Sequence, residues 1–203
     1  MELTRRQALS GAALAGAALA VPGWAQTTVL RGGTDPRLAA VRAALARHGG
    51  LVQHRDRVGV ADFSLPSRLP RFFLVDLEAG RATAHLVAHG RGSDPDHSGW
   101  LERFSNEPGS AASSSGAYLT SVDYVGQHGP SRRLIGLDPT NSNAEARAIV
   151  IHAAWYVAPQ MIVEHGKLGR SEGCLAFSET DLGALLDRLG PGRLIVAGKF
   201  QSA

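Results

Sequence analysis

From Arg57 onward the chain is written in short apolar runs bounded by turn residues: VGVADF, then the two halves of RFFLVDLEAGRATAHLVAH, then AYLTSVDYV, RRLIGLD, AIVIHAA, YVAPQMIV and RLIVAGKF. Runs of this length, rich in Val, Ile, Phe, Tyr and Thr, predict strands, and Glu78-Ala79-Gly80-Arg81 predicts a hairpin between the second and third. Because they follow one another without regular helical segments between them, a parallel sheet wound with crossover helices is excluded. Two segments do carry a helical repeat. Asp35-Pro36 offers an N-cap and a proline at the first helical position, followed by Leu38, Val41 and Leu45 before Gly49-Gly50. Ser178 caps a second helix from Glu179 to about Leu189, with Asp181 placed as in a capping box and Gly190-Pro191-Gly192 ending it. Asn141 to Arg147 reads as a short helical turn. The expected architecture is mainly β, a sandwich or open barrel, with one helix near each end.

The chain has 203 residues, 44% of them hydrophobic, enough for one well-buried domain. Its beginning departs from that domain. Arg5 and Arg6 precede an uncharged Ala/Leu/Gly run from Ala8 to Val21, and Gly23-Trp24-Ala25 presents small residues at the positions a signal peptidase reads. This predicts a cleaved export signal over residues 1–25 of twin-arginine-like form, a mature domain over residues 26–203, and a periplasmic or otherwise exported protein. The apolar run is shorter than the roughly 20 residues of a spanning helix, so no stable membrane span is expected after cleavage. The net charge is +3, and lysine occurs only at Lys167 and Lys199. With no dense basic stripe, nucleic acid is not an expected partner. The segment from Gly90 to Gly116 is rich in Gly, Ser, Pro, Asp and Asn and has no period, so it is a long loop that is either functional or disordered.

The sole cysteine lies in GRSEGCLAF, Gly169 to Phe177. A single thiol in an exported protein is either buried and inert or kept for its chemistry, and composition alone leaves both open. Gly169-Arg170-Ser171-Glu172-Gly173 also has the form of a serine nucleophile elbow. That motif needs a histidine downstream, and the last of the eight histidines is His165, so the elbow fails. A cysteine nucleophile needs a base brought close by the fold, a lowered thiol pKa and an oxyanion hole. His152, at the end of AIVIHAA, is the best candidate base. No cysteine pair or HExxH pattern supports a metal site, so neither metal nor cofactor is expected.

These residues resemble the L,D-transpeptidase catalytic domains, the YkuD-like family that acts on peptidoglycan. A strand-ending histidine followed after a spacer by Ser-x-Gly-Cys is matched by His152 and Ser171-Glu172-Gly173-Cys174. The ordered run HGRGS, FSN, SSSGAY, YVGQHG, RRLIGLD, ARAIVIHAAWYV and GRSEGC, about residues 89–177, is similar to the murein L,D-transpeptidase catalytic-domain branch. The resemblance implies a YkuD-like β-sandwich or open barrel and a cysteine acyltransferase acting on peptidoglycan stem peptides. Cys174 would form a thioester, His152 would be its base, backbone at Gly173 and Cys174 would supply oxyanion donors, and a carbonyl near Ala153 would orient the ring.

The same resemblance suggests His89, Ser93 and Tyr118 as substrate-binding residues, each open to a structural role as well; Ser171 and Arg170, which would supply positive charge from the other side of the turn, complete the binding candidates. His128 and His165 read as surface or loop residues. Glu172 stands where the family usually has a histidine, and the arginine that often follows the cysteine is absent. A cysteine peptidase or amidase on the same polymer, and a wall-binding module with a silent cysteine, therefore stay open.

Overall fold

The computed structural model describes the backbone of residues 26–29 and all of residues 35–200. The expected signal over residues 1–25 lies outside the described residues. Nine strands form one mixed sheet: β1 Gln26–Val29, β2 Arg57–Asp62, β3 Phe72–Asp76, β4 Arg81–His85, β5 Gly116–Gly126, β6 Gly129–Gly136, β7 Val150–Ala153, β8 Leu175–Phe177 and β9 Leu194–Gly198. Their order is β1-β4-β3-β2-β9-β5-β6-β7-β8. The pairs β2–β9 and β7–β8 are parallel and the others antiparallel.

Period-two alternation builds two cores on opposite faces of the central strands. Val58, Val60, Phe73, Val75, Ala117, Leu194 and Val196 face one side, where α1 (Pro36–His48) covers them with Val41 and Ala44. Phe72, Leu74, Tyr118, Ile195 and Ala197 face the other, where α3 (Glu179–Leu189) contributes Leu182, Leu185 and Leu189. The second core also contains Ile151, Leu175 and Phe177 from the far end of the sheet. Phe72 and Phe177 meet edge to face at 4.8 Å although five strands separate β3 from β8 in the sheet order. The chain leaving β4 also meets β8, with the Ala88 N–H donating to the Ala176 carbonyl at 2.9 Å. The sheet therefore curls around this core, which gives the open-barrel architecture expected from the strand pattern.

Local signals explain the helices. Asp35 accepts the Arg37 N–H at 2.9 Å ahead of Pro36, and Ser178 Oγ accepts the Asp181 N–H at 3.2 Å. The Asp181 carboxylate does not complete a capping box. It faces His85 Nδ1 at 3.2 Å instead and ties α3 to β4.

Two expectations need correction. YVAPQMIV is not a strand; its second half opens α2, Pro159–His165. Pro159 has no N–H to give a ladder and suits a helix start, while Gly166 ends the helix with φ of 71°. LAF, unassigned from sequence, forms β8, a three-residue strand held by its neighbours. The turn expected at Asn141 to Arg147 starts earlier, with a 3-10 turn at Pro139–Asn141.

Gly59 sits in β2 where a Cβ would fall 2.6 Å from Phe72 Cζ and 3.1 Å from Ile195 Cγ1. Phe72 cannot retreat, because its ring is packed against Phe177. Gly59→Ala is expected to destabilise the fold by about 1–3 kcal/mol through overpacking. Urea denaturation should show a lower midpoint with unchanged slope, and an unaltered midpoint would show that the inner core is looser than described.

Candidate active site

The parallel ladder β7–β8 pairs Ile151 with Leu175 and His152 with Ala176. Ile151, Leu175 and Phe177 point into the inner core, so His152 and Ala176 point outward. One residue before the ladder, Cys174 falls beside Val150 and on the outward side with His152, one pleat away. Outward does not mean bare. Ala176 and Ala154 are covered by Val157 and Leu168, with Tyr156 and the α2 residues Met161 and Ile162 packed against them. His152 is 2% exposed, whereas Cys174 is half-buried.

The turn that aims Cys174 is braced from several sides. Ser171 Oγ donates to the Cys174 carbonyl at 2.8 Å and accepts the Gly173 N–H at 3.1 Å. The Ser171 N–H reaches the His89 carbonyl at 2.9 Å, and Ser113 Oγ donates to the Gly173 carbonyl at 3.2 Å. Gly173 has φ of 118°, and a Cβ there would meet the Ala112 carbonyl oxygen at 2.7 Å. Only glycine satisfies both conditions.

His152 Nδ1 lies 2.8 Å from the Ala153 carbonyl oxygen. A carbonyl can only accept, so Nδ1 carries the hydrogen and Nε2 keeps its lone pair in the neutral ring. His128, from the turn between β5 and β6, stacks on this imidazole with centroids 4.3 Å apart. Cys174 Sγ donates to the Ala148 carbonyl at 3.5 Å, and no hydrogen bond joins the sulfur to the ring among the described residues. Burial pushes the Cys174 thiol above its ordinary pKa, against the opposing pull of the Val150 N–H and the Arg147 cation. Burial likewise pushes His152 down, the Ala153 carbonyl raises it, and His128 lowers it further. This corrects the expectation of a lowered thiol pKa. At neutral pH the pair rests as thiol and neutral imidazole, able to form an ion pair only when a proton is moved.

The candidate binding residues divide sharply. His89 is 1% exposed and sealed in a buried chain, accepting from Arg71 Nη2 at 2.6 Å and donating from Nε2 to Asp94 at 3.3 Å. Burial first, then the Arg71 charge, hold its pKa down to about 3. Ser93 is fully buried, and its Oγ accepts the Ser113 N–H at 2.9 Å. Tyr118 is buried in the inner core, with its hydroxyl donated to the Ser114 carbonyl at 2.9 Å. None of these three, nor buried Ser171, has its side-chain polar atoms free of protein partners, and their interior contacts fit the structural role that the sequence also left open. Arg170 is half-buried, donating to the carbonyls of Asp94 and of Pro95. The Gly173 N–H, expected as an oxyanion donor, is taken by Ser171 Oγ.

Three neighbours of the pair were not singled out from sequence. Arg147 donates to the Ser105 carbonyl at 2.8 Å and to Ser114 Oγ at 2.7 Å, so it gathers the long loop beside the cysteine. That loop is built into the site rather than disordered. Tyr156 stands close enough for the Cys174 and Glu172 charges to add to the burial that raises its hydroxyl to about 12. His128 is exposed, as its place in a turn suggests, yet it stacks on His152. No local motif marks these roles, because hairpin and loop packing create them. Among the described residues, no group of three His, Cys, Asp or Glu side chains is placed to hold a metal ion, and no helix is long and apolar enough to cross a membrane.

Fold and site together define a curled mixed-sheet domain presenting one cysteine and one histidine on the outer side of its last parallel strand pair. The chain belongs to the L,D-transpeptidase catalytic-domain family, whose description matches residues 38–197. No curated protein matches it. Among solved structures it is similar to an L,D-transpeptidase from Mycobacterium smegmatis, at 12% identity and TM-score 0.42 over 70% of this chain and 58% of that one. It is also similar to L,D-transpeptidase 3 from Mycobacterium tuberculosis, at 16% identity and TM-score 0.40 over 71% of this chain and 61% of that one. For an L,D-transpeptidase from Xylanimonas cellulosilytica the values are 15% and 0.39, over 81% and 78%. The chain thus spans about three fifths of the length of the mycobacterial proteins.

A raised thiol pKa has a direct consequence, because thiolate is the species that alkylates. Iodoacetamide is expected to label Cys174 more slowly than free cysteine at neutral pH, with a rate still climbing at pH values where free cysteine has levelled off. A plateau on the acid side of neutrality would reveal a preformed thiolate and imidazolium instead.

Proposed function

We propose that this chain is a peptidoglycan L,D-transpeptidase, exported by its first 25 residues, in which Cys174 is the nucleophile and His152 the general base. The observation that carries the reading is the β7–β8 register, which sets Cys174 and His152 on one side of the sheet with the imidazole tautomer fixed by Ala153. It does so inside a domain of the L,D-transpeptidase family.

His152 Nε2 takes the Cys174 proton, and the sulfur attacks the carbonyl carbon of an L,D amide in a stem peptide. The Ala153 carbonyl stabilises the imidazolium that forms. Collapse of the tetrahedral species breaks the C–N bond, the leaving amine takes the proton from His152, and a thioester remains. An amine from a second stem then attacks, His152 accepts its proton, and the thiolate leaves and is reprotonated. The Cys174 N–H, which lies against its own sulfur, is the donor best disposed to a developing oxyanion. Arg147 contributes positive charge near the sulfur as negative charge builds there.

Purified chain incubated with tetrapeptide muropeptides should give cross-linked dimers by mass spectrometry. Cys174→Ala should abolish them and His152→Ala reduce the rate by about 10²–10⁴-fold. Monomers shortened by one residue would make the enzyme a hydrolase, and wall binding unaltered by Cys174→Ala with no turnover at all would make the cysteine silent.

His128 offers a second check. Its stacking buries His152 and its charge opposes protonation there, so both effects lower the pKa of the base. His128→Ala should raise that pKa and move the acid limb of the kcat/KM profile to higher pH; a shift the other way would remove His128 from the site's electrostatics.

A further inference from the structure

Beside the cysteine turn, three arginines are among the residues lining one pocket of about 340 Å³: Arg91, Arg103 and Arg170, together with Gly92, Pro95 and Ser110. Each is held by part of its fork and leaves the rest open. Arg103 Nε donates to the Gly92 carbonyl at 3.0 Å. Arg170 Nη1 is held by the carbonyls of Asp94 and Pro95. Arg91 Nε donates to Glu172 at 2.9 Å. Both terminal nitrogens of Arg91 and of Arg103, and Nε and Nη2 of Arg170, have no partner among the described residues.

The charge count is uneven. Among the described residues, Glu172 is the one carboxylate paired with any of the three arginines, and it pairs with Arg91. The Asp94 side chain is turned away, accepting the Ser98 and Gly99 N–H groups at 2.6 and 2.9 Å and facing His89. Three cations anchored around a cavity with one carboxylate repel one another unless an anion enters, and a planar fork with open N–H donors fits a carboxylate in two-point fashion. The pocket is also continuous with the catalytic turn. The Arg91 N–H donates to the Ser171 carbonyl at 2.7 Å, and the Gly92 N–H to the Ala111 carbonyl at 2.9 Å. The next residue, Ala112, presents its carbonyl against Gly173.

We propose that Arg91, Arg103 and Arg170 form a carboxylate-binding subsite that selects acyl donors by a free carboxylate lying outside the scissile amide. The inference rests on the proposed function for its substrate, a stem peptide, and adds the feature of that substrate by which it is recognised. Glu172, where the family resemblance leads one to expect a histidine, is the internal competitor: it occupies one edge of Arg91 when the subsite is empty.

Calorimetric titration of the full chain carrying Cys174→Ala separates binding from turnover. A tetrapeptide muropeptide with free carboxylates is expected to bind on the order of tenfold or more tightly than its fully amidated counterpart, the scale of a charged hydrogen bond. Adding Arg103→Gln and Arg170→Gln should remove that preference and leave the weaker binding of the amidated peptide unchanged. Glu172→Gln, which disturbs neither arginine, should tighten the free acid. Sodium sulfate should compete no better than sodium chloride at equal ionic strength. Equal affinity for the two peptides, indifference of the free acid to the arginine changes, or displacement by sulfate as a general anion would each overturn the subsite. If the unmutated chain still makes muropeptide dimers in those cases, only the subsite falls; if it neither binds nor turns over either peptide, the proposed function falls with it.

Discussion

The parallel pairing of β7 with β8 is the constraint on which the rest of the site depends. Its two strands are only four and three residues long, so their own ladder cannot hold them. Support comes from both ends. Ala88 bonds to Ala176 from the chain beyond β4, Ser171 is held by the His89 backbone, and Phe177 is locked against Phe72 across the core. Closure of the sheet and alignment of the cysteine with the histidine are thus one structural event. A one-residue slip would carry Cys174 to the opposite face and into the core.

Beneath this joint lies a group that apolar packing alone does not explain. Arg71 is fully buried, donating to the Leu65 and Val87 carbonyls at 3.0 Å and to His89, and burial lowers its pKa to about 9 despite Asp94 and Asp62 nearby. Such a charge costs several kcal/mol to desolvate unless its donors are satisfied, and here each guanidinium nitrogen has an acceptor. Keeping His89 neutral is part of the same arrangement, since a second cation beside Arg71 would leave one proton facing another. What this chain fixes is the backbone of the segment from His89 to Asp94, which carries one wall of the arginine pocket and bonds to Ser171. A buried polar cluster supporting a surface turn is consistent with specification of geometry rather than with a gain in stability.

Much of the fold was legible because its signals are local. The apolar runs VGVADF and RLIVAGKF, the caps at Asp35 and Ser178 and the turn at Gly80 each act within a few residues, and the structure has strands and helices there. YVAPQMIV misled because an apolar run without a period suits either state, and only Pro159 and Gly166, acting as helix start and stop, decide it. Three-residue β8 is strand by context alone. At the site, the cysteine and histidine could be singled out by residue type and by family resemblance. Arg147, His128 and the grouping of Arg91 and Arg103 with the candidate Arg170 could not, since they are assembled from segments far apart in the chain. His89, Ser93 and Tyr118, open from sequence to either a binding or a structural role, lie buried beneath the site.

The neutral resting pair also suits the residue's surroundings. Oxidation of cysteine follows thiolate character, so a thiol held above its ordinary pKa by burial is less open to adventitious oxidation than one activated in advance. Burial alone would leave it inert. On the proposed function, what separates Cys174 from an inert core thiol is its half-buried rather than sealed position, a cation at Arg147 and an imidazole whose free nitrogen shares its side of the sheet. On that same proposal, a bound acyl donor that displaces water would strengthen both of those electrostatic partners at once, because the local dielectric falls. Activation would then be a property of the occupied site, and the groups that position the donor would govern the chemistry as much as the sulfur does.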